Sequence, residues 1–406
     1  MRETVDVLIS GGGVAGLAAA AGFGALGLRV LCVDPAAPVT EAEADGADLR
    51  TTALLQPSVR LLQQIGLWER LAPYATALQV MRIVDAGGEQ PEARVTHDFD
   101  AADISDQPFG WNLPNWLLRR EILAHLAGLP NVTFRPGVAT ARLVTRETAA
   151  LVTLSDDTAV TARLLVAADG RDSPMRTALG IGVTTLRYGQ KALAFAVTHP
   201  TPHDNVSTEI HRSGGPFTLV PLPDRDGQPC SAVVWMERGP EIRRLMALPA
   251  PAFEAEMSAR SAWLFGPLTL ASRLTVWPII SQIAERMWGE RSALMAEAAH
   301  VLPPIGAQGL NMSLADLAAL LDLARATPQA LGTPRMLEAY NRRRHGDIRM
   351  RVTGIDLLNR ASMAGARPLR DARAAGLNAL YGIVPVRRGL MRLGMGMAPT
   401  PAREQA

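Results

Sequence analysis

Cysteine is nearly absent: Cys32 and Cys230 are the only two in 406 residues. Two cysteines so far apart give neither a disulfide framework nor a cysteine-based metal site. A reducing compartment, the cytoplasm, is the expectation. Long apolar runs are missing too. No stretch of about 18 apolar residues occurs, so no transmembrane helix is predicted. The N-terminal MRETVDVLIS runs into glycines before a signal-peptide core can form. Charge of one sign is also scarce: the net value is +2 with 20% charged residues, which excludes the strongly basic signature of a nucleic-acid binder. Internal repeats and low-complexity linkers are absent.

Apolar residues make up 48% of the chain, enough for a sizeable core in one large or two intimate domains. Charge is unevenly spread. From Arg335 to the end there are 14 arginines against five carboxylates, +9, which leaves −7 on the rest. A basic tail on an acidic body fits an acidic partner or an anionic membrane surface, and equally a solvated helical face.

The first 34 residues are the most informative. VDVLIS reads as a buried strand, GGGVAG as a turn, LAAAAGFGALG as a helix and LRVLCVD as a second strand. This is one βαβ unit of ordinary length. Within it, Gly11-x-Gly13-x-x-Gly16 follows a strand and opens a helix, the context a dinucleotide fingerprint requires. Gly11 permits the tight turn, Gly13 lets a pyrophosphate approach the backbone, and Gly16 lets helix and strand pack closely. The helix start, with Val14 and Ala15, offers unpaired N–H groups to an anion. Asp34 ends the second strand 18 residues after Gly16. A carboxylate there accepts ribose hydroxyls and disfavours a 2′-phosphate, so FAD or NAD is expected at this site and not NADP.

Further along, residues 50–75 read as helical with an interruption at Pro57, and 115–127 as helical. LVTLSDDTAVTARLLVAADG reads as a hairpin and a strand ending at Asp169. KALAFAVTH, PFTLVPLP and CSAVVWME are strand-like, which makes 185–277 a β-rich insertion with a helix near 250–264. After Trp277 the chain returns to helix-rich α/β character, and the tail from Pro334 is helical. Late in the chain, AEAAHVLPPIGAQGLN (296–311) places two prolines and two glycines ahead of a strongly helical run from about Leu310. A stiff loop feeding a helix N-terminus suits a negative group. Asn311 is a candidate N-cap or ligand contact. His300 is expected to tie the loop by hydrogen bonding.

Three motifs in this order are similar to the aromatic-ring flavin monooxygenases of the p-hydroxybenzoate-hydroxylase type: the fingerprint, Asp169-Gly170 at a strand end, and the 296–311 loop. Within that group, DLRTTALLQPSVRLLQQIGLW, WNLPNWLLRREIL, PPIGAQGLN and PLRDARAAGLNAL with PVRRGLMRLGMG resemble the FAD-dependent hydroxylases of ubiquinone biosynthesis, over nearly the whole chain. The resemblance implies an α/β fold: a Rossmann-like FAD-binding domain, an interleaved β-sheet substrate domain and a helical C-terminal region. The expected boundaries are 1–75, 110–180 and 280–333 for the FAD-binding domain, 76–109 and 181–279 for the substrate domain, and 334–406 for the basic C-terminal region.

The resemblance also implies site residues. Arg50 and Arg119 would meet the FAD phosphates or ribityl chain, although Arg119 has an alternative partner in Glu121. Val138 would lie by the adenine, and Asp169 near the pyrophosphate and the visiting nicotinamide nucleotide. Pro304, Gly306, Gly309, Leu310 and Asn311 would hold the flavin ring. Where the family has Gly-Asp, this chain has Ala296-Glu297, so Glu297 would have to reach the ribityl hydroxyl. The implied activity is hydroxylation of a polyprenylated phenol, with FAD, NAD(P)H as a transient reductant, and O2. Phe195, Phe217, Pro221 and Trp235 are candidates for the substrate wall or for ordinary core, and no phenol-activating base is evident. The implied setting is cytoplasmic, peripheral on the inner face of the membrane or within a quinone-synthesis complex. A same-fold flavoenzyme on another substrate and a flavin-poor scaffold stay open as alternatives.

Overall fold

The computed structural model describes residues 2–397, so positions 398–406 of the expected C-terminal region lie outside the described residues. The first sheet is mainly parallel. Strand Arg2–Ser10 lies between Ala159–Ala167 and Val30–Asp34, with Val132–Pro136 beyond the latter. Ser292–Leu294 adds a parallel strand on the other side, and Trp288–Gly289 an antiparallel edge. The hairpin Thr140–Arg146 and Ala149–Leu154 pairs antiparallel with Ala159–Ala167. Val7, Leu8 and Ile9 are fully buried in succession, as expected for a parallel strand covered on both faces. Helix α1 (Val14–Ala25) is built of small residues, and they set its distance from its neighbours. A side chain on Gly22 would strike Leu321, and one on Gly24 would strike Val132. Leu321 belongs to helix α2 (Gln308–Ala326), so α1 is sandwiched between sheet and α2.

The second sheet has nine strands, in the order His300–Val301, Thr275–Ala284, Val183–Thr198, Gln228–Arg238, Pro216–Arg225, Val206–His211, Val80–Asp85, Val95–Asp100, with Thr269–Leu270 beside Val183–Thr198. One face packs on the helices Gly239–Met246 and Ala250–Arg260, through Phe195, Phe217, Trp235, Ile242 and Phe253. The opposite face looks into a cleft. Three short strands, Thr51–Leu55, Gly110–Pro114 and Thr76–Leu78, form a third sheet.

Three helices close the described chain: α3 (Pro334–Met363), α4 (Arg367–Gly382) and α5 (Val384–Gly394). Much of their positive charge is met within the protein. Arg373 reaches Asp85 at 2.7 Å, Arg387 reaches Asp103 at 3.0 Å, and Arg360 reaches Asp356 at 2.9 Å. Tyr381 of α4 stacks on His97 with centroids 4.0 Å apart.

Four local expectations change. Residues 51–55 form a strand, and Pro57 lies in the first turn of the helix Gln56–Gln64, where its missing N–H costs nothing. The strand before Asp169 ends at Ala167. The helix after the proline loop starts at Gln308. Thr275–Ala284 continues the second sheet beyond Trp277.

Candidate functional site

A cleft of about 480 Å³ is lined by strands of the second and third sheets and by the segments 13–16 and 168–171 that follow strands of the first. At one end is the fingerprint. Gly11 has φ +108°, and a side chain on it would run into the Ala168 carbonyl. Gly16 would collide with the Gly11 carbonyl oxygen, whereas Gly13 faces open space. The three glycines thus divide into turn, approach and packing, as their spacing predicts. Asp34 receives Gly12 N–H at 2.6 Å and Ala36 N–H at 2.8 Å. Each carboxylate oxygen keeps a lone pair for a further donor. The Val138 N–H donates to the Asp34 carbonyl at 3.0 Å, which sets Val138 beside it.

At the other end is the loop 303–307. It delivers α2 with Ala307 at the cap in left-handed backbone (φ +55°), with no side-chain cap and no acid in the first turn. Gly306 also has positive φ, and a side chain on Gly309 would meet nothing within 4 Å. The start of α1 is likewise uncapped and free of acids. Two helix N-termini with unpaired N–H groups therefore border one cleft, each beside a glycine with open space above it, a combination suited to anionic groups.

The loop is anchored by a buried charge cluster. His300 Nε2 lies 2.6 Å from Asp316 Oδ2, and Arg344 Nε donates to Asp316 Oδ1 at 2.8 Å. The Ala296 N–H reaches the same carboxylate at 3.2 Å. Burial works to raise the Asp316 carboxyl, but the charges of His300 and Arg344 outweigh it and hold it below the usual range. His300 therefore ties the loop, with Nδ1 buried and unpartnered. Ala296 keeps a left-handed backbone, φ +55°, of the kind glycine favours. Glu297 lines the cleft half-exposed and pairs with Arg171 Nε at 3.3 Å.

Between the two ends stand the arginines. Arg50 grips Asp48 through two bonds of 2.7 Å and lies over the Trp277 ring at 5.4 Å. Arg119 lies 3.6 Å from the same carboxylate. Burial would raise the Asp48 carboxyl; the hydrogen bond and charge of Arg50, with Arg119 behind them, lower it instead. The alternative pairing of Arg119 with Glu121 does not occur, because Glu121 is taken by Arg70 and Arg120.

Gly13, Val14, Ala15, Gly16, Arg50, Arg119, Glu297, Pro304, Gly306, Gly309 and Leu310 all line the cleft. Two of the expected side chains are held by the protein itself. Asn311 does not cap α2: its amide donates to the Ala53 and Ala307 carbonyls, and its oxygen accepts from Leu55 N–H and Ser58. It bolts α2 to the strand Thr51–Leu55. Asp169 accepts from Ser173 Oγ at 2.5 Å and from Met175 N–H at 3.1 Å. Its carboxylate fastens the turn into the helix Pro174–Ala178, and burial raises it despite these bonds.

Of the two readings of the candidate wall aromatics, ordinary core is the one the structure shows. Phe195, Phe217 and Trp235 sit in the core on the far face, and the carbonyl of buried Pro221 holds Asn112. The cleft face carries the alternate residues instead: Ser207 and Glu209 on one strand, Thr218 and Val220 on the next, then Val234. Glu209 lies directly opposite Thr218, and Thr218 opposite Val234. The period-two pattern holds the signal for this set; what it lacks is which of the two faces is covered by helices.

The family described as FAD binding domain matches residues 4–353. A ubiquinone hydroxylase of Rhodospirillum rubrum is 33% identical over 407 aligned positions, spanning 99% of this chain and 92% of that protein. The 3-demethoxyubiquinol 3-hydroxylase of Escherichia coli is 27% identical, spanning 98% and 100%. Among solved structures, the p-nitrophenol 4-monooxygenase of Pseudomonas putida superposes with a TM-score of 0.79 at 19% identity, over 98% of this chain and 100% of that one.

Proposed function

The chain belongs to the FAD binding domain family and is an FAD-dependent monooxygenase; from that premise we propose that it hydroxylates the ring of a polyprenylated phenol in ubiquinone biosynthesis, using NAD(P)H and O2. The observation that supports this most is the single cleft with an uncapped helix start at each end and a partly polar sheet wall between them. FAD fits it. Gly11, Gly13, Val14, Ala15 and Gly16 would take the pyrophosphate, Asp34 the ribose, and Val138 the adenine side. Arg50 and Arg119 offer planar donor forks to phosphate or ribityl oxygens, and Glu297 would take a ribityl hydroxyl. Pro304, Gly306, Gly309 and Leu310 would hold the ring, with the N–H groups of α2 toward its negative edge. Asn311 serves from behind by fixing α2, and Asp169 by fixing the adjoining turn. When bound, FAD supplies the activation of O2 and the delivery of one oxygen atom to an electron-rich ring. The protein orients that ring, excludes water and accepts its hydroxyl proton.

The domain assignment follows: 1–75, 110–180 and 280–333 bind FAD, 76–109 and 181–279 face the substrate, and 334–406 forms the basic C-terminal region. The one other G-x-G-x-x-G match in the sequence, Gly22 to Gly27, falls at the end of α1 and not between a strand and a helix, which supports NAD(P)H as a transient visitor. No helix of the described residues is long and apolar enough to cross a membrane. Exposed Leu369, Leu380, Ile383, Val384, Leu390 and Leu393 gather on α4 and α5 beside arginines, which supports a cytoplasmic protein resting on the inner membrane face. Partitioning to anionic liposomes that survives replacement of these six residues by serine would count against that placement. The function itself is tested by quinone-intermediate profiling in a deletion strain. An under-hydroxylated polyprenylphenol should accumulate, and an unchanged profile would sink the reading.

A further inference from the structure

We propose that Glu209 is the group that receives the substrate's phenolic proton, and that its charge restricts the site to phenols without a ring carboxylate. The inference rests on the hydroxylase reading above. Three carboxylates line the cleft. Asp48 is clamped by Arg50, with Arg119 and Asn115 beside it, and Glu297 is paired with Arg171. Glu209 is the third and the one carboxylate on the sheet wall among the described residues. No arginine holds it. Its partner is His211, two residues along the same strand face, whose Nε2 lies 2.8 Å from Oε1. His211 Nδ1 is buried and without a partner. With a proton on Nε2, His211 donates to Glu209 and orients it.

The surroundings fit a phenol. Ser207 lies two residues before Glu209 on the same face, and Thr218 faces Glu209 across the ladder. These hydroxyls sit where they can donate to oxygen substituents next to the phenol. Met81, Val220 and Val234 supply an apolar bed around them. The other charges near Glu209 are accounted for. Asp85, opposite His211, is neutralised by Arg94 and Arg373 of α4. Elsewhere in the cleft stand Arg50, Arg119, Arg171, Glu297 and His300.

The chemistry is a single proton transfer. The phenolic O–H bond breaks and its proton forms an O–H bond with the free Glu209 oxygen. The electron pair stays on the phenolate and enriches the ortho and para carbons for attack by an electrophilic oxygen. After oxygen transfer the attacked carbon loses its proton to solvent as the C–H electron pair restores the aromatic ring, and Glu209 returns the stored proton to the oxygen it came from. A carboxylate on the substrate ring would face Glu209 as a like charge in a partly desolvated site, which disfavours hydroxybenzoates.

The test uses FAD-loaded enzyme and two probes, a short-chain 2-prenylphenol and the same phenol bearing a para carboxylate. Bound FAD per chain reports the integrity of each variant. Glu209→Gln should lower product formation from the phenol by about 10²- to 10⁴-fold. The residual rate should rise about tenfold per pH unit toward the phenol's own ionisation near 10. Glu209→Asp should keep the acidic limb of the wild-type pH profile. In equilibrium titrations followed by flavin fluorescence, wild type should prefer the uncharged phenol, and Glu209→Gln should shrink that preference about tenfold or more. A Gln variant with wild-type turnover, pH profile and selectivity overturns the assignment alone. A wild-type enzyme that hydroxylates neither probe nor a longer prenylphenol overturns the hydroxylase reading and this one with it.

Discussion

Asp316→Asn is the sharpest test of how the loop ahead of α2 is held. Asp316 is fully buried, and its two oxygens serve His300, Arg344 and the Ala296 N–H at once. The substitution keeps the shape and removes the charge. Breaking a buried pair from one side costs about 3–5 kcal/mol because the partner's charge is orphaned. Arg344 retains Asp347 at 2.6 Å, which argues for the lower end, about 3 kcal/mol. At about 2.1 cal/mol/K per residue, a chain of 406 residues loses only about 3–4 °C in melting midpoint for that cost, so urea titration of the apo-protein is the better assay. Adding Arg344→Met should recover much of the loss, since the orphaned guanidinium is its source. The pH dependence has a defined sign. The folded-state carboxyl is depressed, so its contribution is present above the ordinary carboxylate value of about 3.9 and disappears as pH falls through the lower folded value. Asp316→Asn should therefore differ from wild type at neutral pH and converge with it in acid. A variant within about 1 kcal/mol of wild type at pH 7 would refute the reasoning, because a buried triad that costs nothing to break is not holding the loop.

Two further changes test the cleft as the FAD site. Ala296→Gly should stabilise the apo-protein by up to about 1 kcal/mol, because the left-handed penalty for alanine exceeds the added freedom of glycine in the unfolded chain; combined with Glu297→Asp it should tighten FAD binding in fluorescence titrations, and weaker binding would mean that the loop has repacked around its own acid. Gly13→Val and Gly309→Val point side chains into open space, so urea midpoints should hold within about 1 kcal/mol while FAD per purified chain falls steeply; full flavin content in both would place the cofactor elsewhere.

The parts of this site that were legible in the sequence are those fixed by local backbone chemistry. A glycine triplet between a strand and a helix must make a turn, an approach and a close contact, whatever else the chain does, and Gly11, Gly13 and Gly16 do so. Two prolines before a helix must make a stiff entry. What stayed hidden is set by pairs distant in sequence. Asn311 looks like a cap until the strand carrying Ala53 and Leu55 is laid beside it, when all its hydrogen bonds are spoken for. Arg119 looks like a helix-surface ion until Asp48 arrives from another segment. The substrate wall is the clearest case. Alternation in PFTLVPLP and CSAVVWME divides the residues into two sets, but only the docking of the helices at 239–260 decides which set is core. Aromatic size makes Phe217 and Trp235 candidates for either a ligand wall or core, and the structure uses them as core. The face left over is modest in volume and carries Ser207, Glu209 and Thr218. A sheet that spends its bulk on one side leaves the other free for a ring, and Glu209 is the acid that such a ring would meet.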